Sequence, residues 1–394
     1  MVSREIVFLC GSSMAVMLGF GIVGPILPQY VLTFDVSYTL AGVVISAFPL
    51  ARMLFNFPAG IFADRYGRRR PLLLGIVIVT LGALGCGLAQ SIYELILFRF
   101  TYGAGTAMFI IVANVIVADI APPTERGKYM SYYQGSFQFG SIFGPAIGGF
   151  LAELAGLRTP FFILSGLGAL SVGLTFLLIQ EAPQTRRSRS AIKVASLLRL
   201  LVDRRLTAIQ VIQMVSFITM SSIRTTMLPL YGVDYLGLSM GEIGTILSIG
   251  ALVSFPTLMF MSNVVDRIQR NRIISVGFLG LATAVFLYTL AHDYMLLLVA
   301  TVMLSVSQIL INPSQNAIIG DITTPGIRGL VLGAFRTAGD IGFFIGPTMA
   351  GFLTDTVNVL APFYLVTILC LVSALISVYA LHASRLSRIE ALAS

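Results

Sequence analysis

One carboxylate stands apart in this 394-residue chain. Sixteen of its 17 Asp and Glu lie between apolar stretches or at their ends, whereas Asp340 lies deep inside one. At 1.5 Å per helical residue it is about 18 Å from the start of that stretch, near the middle of a bilayer. A carboxyl group in such a place can take up a proton on one side of a membrane and release it on the other, provided its cavity faces each side in turn. Arg336 is four residues earlier and shares its helix face, which Phe343 and Pro347 extend. Two chemistries fit: a proton carrier whose charged form Arg336 favours in one state, or a permanent structural ion pair.

Four arginines also fall within apolar stretches: Arg52, Arg99, Arg224 and Arg336. A cation near the bilayer centre costs about 3 kcal/mol or more, so it needs a partner, a wet cavity or a route to the surface. Arg99 is about 12 Å in, deep for snorkelling; Arg52 and Arg224 fit either snorkelling or pairing. Four arginines against one acid disfavour a permanently cationic ligand and lean toward an anionic, zwitterionic or neutral amphipath. Further polar groups in the apolar stretches are candidates for a substrate cavity: Asn114, Gln134, Gln138, Gln210, Gln213, Gln308, Asn312 and Asn316. Each alone reads equally well as hydrogen-bonding glue between helices. No H-E-x-x-H, paired aspartates or Ser/His pair lies within the stretches, which argues against an intramembrane enzyme. Cys10, Cys86 and Cys370 are scattered, without the spacing of a disulfide frame or zinc site. No metal and no cofactor is expected, the proton being the coupling ion.

The elements that must hold these groups follow from composition. Hydrophobic residues make up 57% and charged residues only 11%, where soluble domains carry about 25%. With a mean hydropathy of +0.92, a soluble enzyme, a disordered scaffold and a disulfide-framed secreted protein are excluded. Twelve stretches are long and apolar enough to cross a bilayer: 5–28, 39–62, 71–90, 92–117, 128–151, 160–180, 206–230, 241–262, 273–291, 295–318, 329–353 and 362–381. The first is too long for a cleaved signal peptide and is counted as a span. With the N-terminus in the cytoplasm, 20 of the 25 Lys and Arg fall in inner loops and only Arg158 falls outside. That asymmetry sets both termini inside. It also accounts for the basic pI of 9.6 without a nucleic-acid partner.

The chain repeats itself at a constant offset of 202 residues. Gly42 pairs with Gly244, Ser46 with Ser248, Asp64-Arg65 with Asp266-Arg267, and Arg68 with Arg270. Asp119 pairs with Asp321, Arg126 with Arg328, and Gly140, Gly144 and Pro145 with Gly342, Gly346 and Pro347. Six spans per copy make the repeats parallel, related by an axis along the membrane normal. The organisation is an N-terminal six-helix bundle over 1–180, a cytoplasmic linker over 181–205 and a C-terminal six-helix bundle over 206–394.

Several motifs carry a family resemblance. The loop after the second span, Gly60-Ile-Phe-Ala-Asp64-Arg65-Tyr-Gly67-Arg68-Arg-Arg, reads on physics alone either as a solvated anchor or as a latch. It resembles the signature loop of the major facilitator superfamily. Span four carries Arg99-Phe-Thr-Tyr-Gly-Ala-Gly, similar to that family's R-x-x-x-G-x-G element. Span five carries Gly140-Ser-Ile-Phe-Gly144-Pro145-Ala-Ile-Gly148-Gly, similar to its antiporter motif, and Gly19 to Pro28 resembles the first helix of twelve-span drug:proton antiporters. The resemblance covers essentially the whole chain. It implies an all-α integral membrane protein of twelve helices in two parallel six-helix repeats, the major facilitator fold. It implies a proton-coupling role for Arg99 beside the Asp340 and Arg336 pair. It implies a cytoplasmic latch between the halves from Gly60, Asp64, Arg65, Gly67, Arg68, Asp119, Arg126, Asp266, Arg267, Asp321 and Arg328. Gly140, Gly144, Pro145, Gly148, Gly342, Gly346 and Pro347 are expected to pack half against half.

The expected function is therefore that of a proton-coupled antiporter, not an enzyme, exporting a small amphipathic molecule or drug by alternating access. It is expected as a monomer in the lipid bilayer of the plasma (inner) membrane. A uniporter, a lipid or lysolipid flippase, or a non-transporting membrane sensor on the same scaffold are the alternatives.

Overall fold

A computed structural model of the chain describes residues 4–121, 125–178, 204–264, 268–323 and 328–380. The first half comprises α1 (Arg4–Val23), α2 (Leu27–Leu32), α3 (Tyr38–Tyr66), α4 (Arg69–Leu88), α5 (Ile92–Ile120), α6 (Arg126–Ala155) and α7 (Thr159–Leu178). The second comprises α8 (Arg204–Thr219), a π-helical segment (Met220–Met227), α9 (Leu228–Asp234), α10 (Met240–Val264), α11 (Arg270–Thr289), α12 (Tyr294–Ile322), α13 (Arg328–Thr356) and α14 (Ala361–Ala380). No strand occurs among the described residues. Hydrocarbon offers no hydrogen-bond partners, so a helix that satisfies its own backbone is the expected solution. The first rod is α1 continued by α2, and the seventh is α8, the π segment and α9, so the described helices lie as twelve rods.

Nine of the described helices are long and apolar enough to cross a membrane on length and composition alone. The long helices α6 and α13 are not among them. Both are glycine-rich and hold polar groups, Gln134 and Gln138 in one and Arg336 and Asp340 in the other. These two helices are among those that meet between the halves.

The two halves repeat the same packing. In the first, α1 lies on α6 and α7, α3 on α5, and α4 on α5 and α7; in the second, α8 lies on α13 and α14, α10 on α12, and α11 on α12 and α14. Across the halves α3 meets α13 and α6 meets α10. We name the face carrying residues 33–37 and 357–360 the outer face, following the Lys and Arg asymmetry.

The outer half of the molecule is sealed by two symmetric crossings. At Gly42 the backbone of α3 closes on the Pro347 carbonyl of α13, and at Gly244 that of α10 closes on the Pro145 carbonyl of α6; a Cβ at either glycine would overlap that oxygen. Lower in each crossing a serine joins the halves. Ser46 Oγ donates to the Phe344 carbonyl (2.6 Å), and Ser248 Oγ accepts from the Ala146 amide (2.9 Å). At the rim each crossing ends in a carboxylate that caps a helix of the opposite half. Asp355 accepts from the amides of Tyr38 (3.1 Å) and Thr39 (2.8 Å) and from Thr39 Oγ1 (2.6 Å) at the start of α3. Glu153 accepts from the Gly241 amide (3.1 Å) at the start of α10. Gly42 and Gly244, Pro145 and Pro347, Ser46 and Ser248, and Glu153 and Asp355 all stand 202 residues apart. The free amides at a helix start attract an anion, so these caps use the helix dipole as well as hydrogen bonds. Asp234 adds a one-sided tie, accepting from Gln29 Nε2 (2.8 Å) and the Tyr38 hydroxyl (3.1 Å).

Two expectations change here. The stripe Gly140, Gly144 and Gly148 packs within the first half, against Leu18, Gly21 and Ile22 of α1; Gly342 and Gly346 likewise pack on Met214, Ile218 and Ser221 of the α8 rod. These stripes hold each half together. Of the seven residues expected between the halves, Pro145 and Pro347 do lie there, with Gly149 and Gly351 below the Met240 and Tyr38 carbonyls. The reason is the width of a helix: one face of α6 is used on α1, and only the face turned by Pro145 reaches α10. In the inner loop, Gly67 adopts φ +83°, which turns α3 into α4. There Arg68 pairs with Asp119 at 2.8 Å inside the first half, so this pair is not a tie between halves. Arg65 lies over the Tyr66 ring and Gly60 lies in α3. The side chains of Asp64, Arg126, Asp321 and Arg328, and residues 266 and 267, lie outside what is described.

Candidate functional site

Below the serines, the crossing of α3 and α13 ends in charge. Arg52 of α3 lies fourteen residues, about 21 Å, from the helix start at Tyr38. Its Nη2 is 3.7 Å from Asp340 Oδ1. One turn further along α3, Asn56 Nδ2 donates to Asp340 Oδ2 at 3.2 Å. The acid and its two partners therefore come from opposite halves. This corrects the expected pairing of Asp340 with Arg336: Arg336 makes no ion pair within 4 Å among the described residues, and its side chain is exposed one turn nearer the inner face. Spacing along one helix put Arg336 on the right face, but the crossing with α3 brings Arg52 closer.

Every cross-half hydrogen bond and ion pair between described residues lies at this level or nearer the outer face. Toward the inner face Leu54, Phe55 and Phe57 of α3, Tyr132 and Phe139 of α6, and Leu252 and Phe255 of α10 are exposed. Among the described residues the two halves are thus joined from this level outward and are not joined by a hydrogen bond or ion pair below it; we call the space between the halves on that inner side the cleft, and Arg52 and Asp340 stand at its outer end. Their side chains remain 32% and 12% exposed, so both are reachable from the cleft.

Aromatic rings flank the pair. The Arg52 guanidinium is 5.8 Å from the centre of the Phe48 ring, and that of Arg99 is 5.2 Å from the same ring and 5.7 Å from Tyr102. Arg99 is 4% exposed, and its Nε has no acceptor among the described residues. Ring faces attract a cation but do not neutralise it. On the other side Phe217 and Phe343 pack edge to face at 6.4 Å, Phe217 lying beside Gly339. The repeat-equivalent of Asp340 is Gln138 and that of Arg52 is Ser254, so the charge pair occupies one of two symmetric crossings.

The other sequence candidates divide. Gln308 Nε2 donates to Ser216 (2.6 Å) between α12 and α8, and Gln213 is buried near Gly339. Asn114 and Asn316 donate to carbonyls of their own helices, Ile110 and Asn312. Gln134 is exposed, while Gln138, Gln210 and Asn312 are half-buried. Arg224 sits in the π segment, its Nη2 3.5 Å from the Leu247 carbonyl of α10. Such segments are rare and recur at functional sites. Asn56 was missed as a site residue, although it shares a helix face with Arg52 four residues away, a spacing the sequence displays.

A twelve-rod helical protein of two parallel repeats, with a charge pair joining the halves at mid-span, has the architecture of a membrane transporter. The major facilitator superfamily model matches residues 9–286 and 211–391, and the chain belongs to that family. It is 24% identical over 364 residues to multidrug resistance protein 2 of Bacillus subtilis, covering 91% of this chain and 90% of that one. It is 24% identical over 364 residues to the quinolone resistance protein NorA of Staphylococcus aureus, covering 92% and 93%. Its fold is similar to the crystal structure of a bacterial homolog of the human lysosomal transporter Spinster in an inward-facing and occupied conformation (TM-score 0.81, 16% identity, 97% of both chains). The protein is a multi-pass membrane transporter and not an enzyme.

Proposed function

We propose that this transporter is a proton-coupled antiporter that exports a small amphipathic molecule from the inner membrane, with Asp340 carrying the proton. The observation that supports it is the position of Asp340: a mid-span acid, facing the cleft, bound to Arg52 and Asn56 of the opposite half. Asp340 takes up a proton while the site faces outside, where it is parted from Arg52; once the halves have rocked, release of that proton to the cytoplasm lets the carboxylate pair with Arg52 and Asn56. Substrate that displaces this pair from the cytoplasmic side loosens the inner end of the α3–α13 crossing, and the halves rock outward again. The relatives named for drug resistance support export of amphipaths, and the Lys and Arg asymmetry supports cytoplasmic termini. We read the unit as a monomer, since each crossing is complete within one chain.

The test is proton release from the purified protein in weakly buffered detergent, followed by a pH indicator as norfloxacin, an amphipath with both an amine and a carboxylate, is added. Release by wild type and none by Asp340→Asn is expected. Equal release by both would overturn the assignment of Asp340.

A further inference from the structure

We propose that Arg52 and Asp340 receive the two ends of one zwitterionic amphipath, its carboxylate on Arg52 and its protonated amine on Asp340. This rests on the reading of Asp340 as the coupling acid and names the substrate class that reading requires.

The pair has unused capacity. At 3.7 Å it is longer than a charge-assisted hydrogen bond, which closes to about 2.7–2.9 Å. Arg52 Nε has no acceptor among the described residues, although a guanidinium offers five donors. Asp340 accepts one long bond from Asn56 where a carboxylate has about four lone-pair sites. Both ions face the cleft, so a ligand can enter between them without moving the outer seal.

Charge balance then selects the ligand. A cation alone would take Asp340 and leave Arg52 unpaired, over the same Phe48 ring that already faces buried Arg99. An anion alone would take Arg52 and leave Asp340 facing only Arg336, which is exposed and makes no ion pair with it within 4 Å. Taking one partner of a pair in a partly enclosed site is unfavourable because the other charge stays behind with little water around it, though less so than in a fully buried pair. A zwitterion replaces the pair charge for charge. The charged groups facing Asp340 are Arg52 from α3 and Arg336 from its own helix, while α8 presents the uncharged Gln213 and Phe217 to the neighbouring Gly339. The surroundings therefore supply no second acid for a lone cationic ligand.

The sign of coupling selects further. An anion that takes Arg52 frees the Asp340 carboxylate to bind a proton, so anion and proton would bind together and travel in the same direction. An amine on Asp340 competes with the proton, which is exchange. Only a ligand with an amine meets both the charge balance and the exchange direction, and it needs the anionic group as well. With the ions 3.7 Å apart, the two groups belong on one compact head. The apolar body finds Phe48 on one side and Phe217 with Phe343 on the other.

The test uses three radiolabelled probes on one body: biphenylalanine, its methyl ester and its N-acetyl derivative. Binding is measured by scintillation proximity on purified protein at pH 7.5 and 5.5. The expectation is biphenylalanine bound at least about tenfold tighter than either derivative, weakened at the lower pH. Arg52→Lys should keep that order. Arg52→Gln should abolish the advantage of biphenylalanine over its ester, with an unchanged melting temperature showing that it folds. Asp340→Asn should abolish its advantage over the N-acetyl derivative and the pH effect together. Ester bound as tightly as biphenylalanine, with proton release intact, would overturn the substrate class and leave exchange at Asp340 standing. The expected selectivity without proton release would overturn exchange and leave the two-ended site standing. Weak, unselective binding of all three would overturn the two-ended site.

Discussion

Removing the carboxylate of Asp355 should open the outer face. This group accepts three hydrogen bonds from the first residues of α3 and so fastens the end of one half to the start of a helix in the other. Hydrogen bonds to a charged group contribute about 1.5–3 kcal/mol each when shielded from water. Asp355 is at a wet rim, where exposed ionic contacts are nearer 0.2–1 kcal/mol. Taking the upper end of that exposed range for part of the set gives about 2 kcal/mol for Asp355→Ala, which is roughly a 30-fold shift in the closed-to-open ratio. Glu153→Ala, which removes one such bond at the symmetric position, should give a smaller shift in the same direction. The two crossings share no partner, so the shifts should add. Electron-electron distance measurements between spin labels at Leu154→Cys and His292→Cys, in a background with the three native cysteines replaced, read the separation of the halves at the outer face. The distribution should gain a longer population in Asp355→Ala and more of it in the double variant. An unchanged distribution in both would refute the trans caps as the fastening of the outer seal.

Three further outcomes follow from the same contacts. Burial pushes the Asp355 carboxyl up, but donation from Thr39, Tyr38 and Ser37 outweighs this and holds it below the usual carboxylate range. The stabilisation of the closed rim is therefore complete above the ordinary carboxylate value of about 4 and is lost as pH falls through the lowered one; the label distances should be constant from about pH 5 to 8 and lengthen only in stronger acid. Gly42→Ala should hold the α3–α13 crossing apart at the Pro347 carbonyl, at a cost of about 1–3 kcal/mol, seen as outer-face opening in the same distance measurement with little loss of melting temperature. Arg99→Lys should lower the melting temperature, because an ammonium cannot lie flat against both Phe48 and Tyr102 as the guanidinium does.

Much of the fold was legible because lipid imposes long apolar helices and because the repeat left matched residues 202 apart. The same offset marks the seal: Gly42 with Gly244, Ser46 with Ser248 and Glu153 with Asp355 are partners in equivalent places. The site was harder to read. Arg336 was matched to Asp340 because helical spacing is visible in a sequence, whereas the approach of Arg52 depends on how α3 crosses α13. Asn56 belongs to the same crossing. The glycine stripes were legible as close-packing surfaces but not as to which neighbour they serve, since α1 and α10 both offer small residues to α6. The π segment around Arg224 has no local signature; it lies in the seventh rod where that rod packs on α13.

The central claim is that the proton exchanged for substrate resides on Asp340. It is tested most directly in proteoliposomes by following norfloxacin or biphenylalanine under an imposed pH gradient and, separately, in counterflow without one. Asp340→Asn should lose gradient-driven accumulation while still exchanging labelled for unlabelled substrate at concentrations high enough to offset its weaker binding, because the amide oxygen can still accept from the amine but cannot release a proton. Accumulation by Asp340→Asn that still follows the pH gradient at the wild-type level would contradict the account.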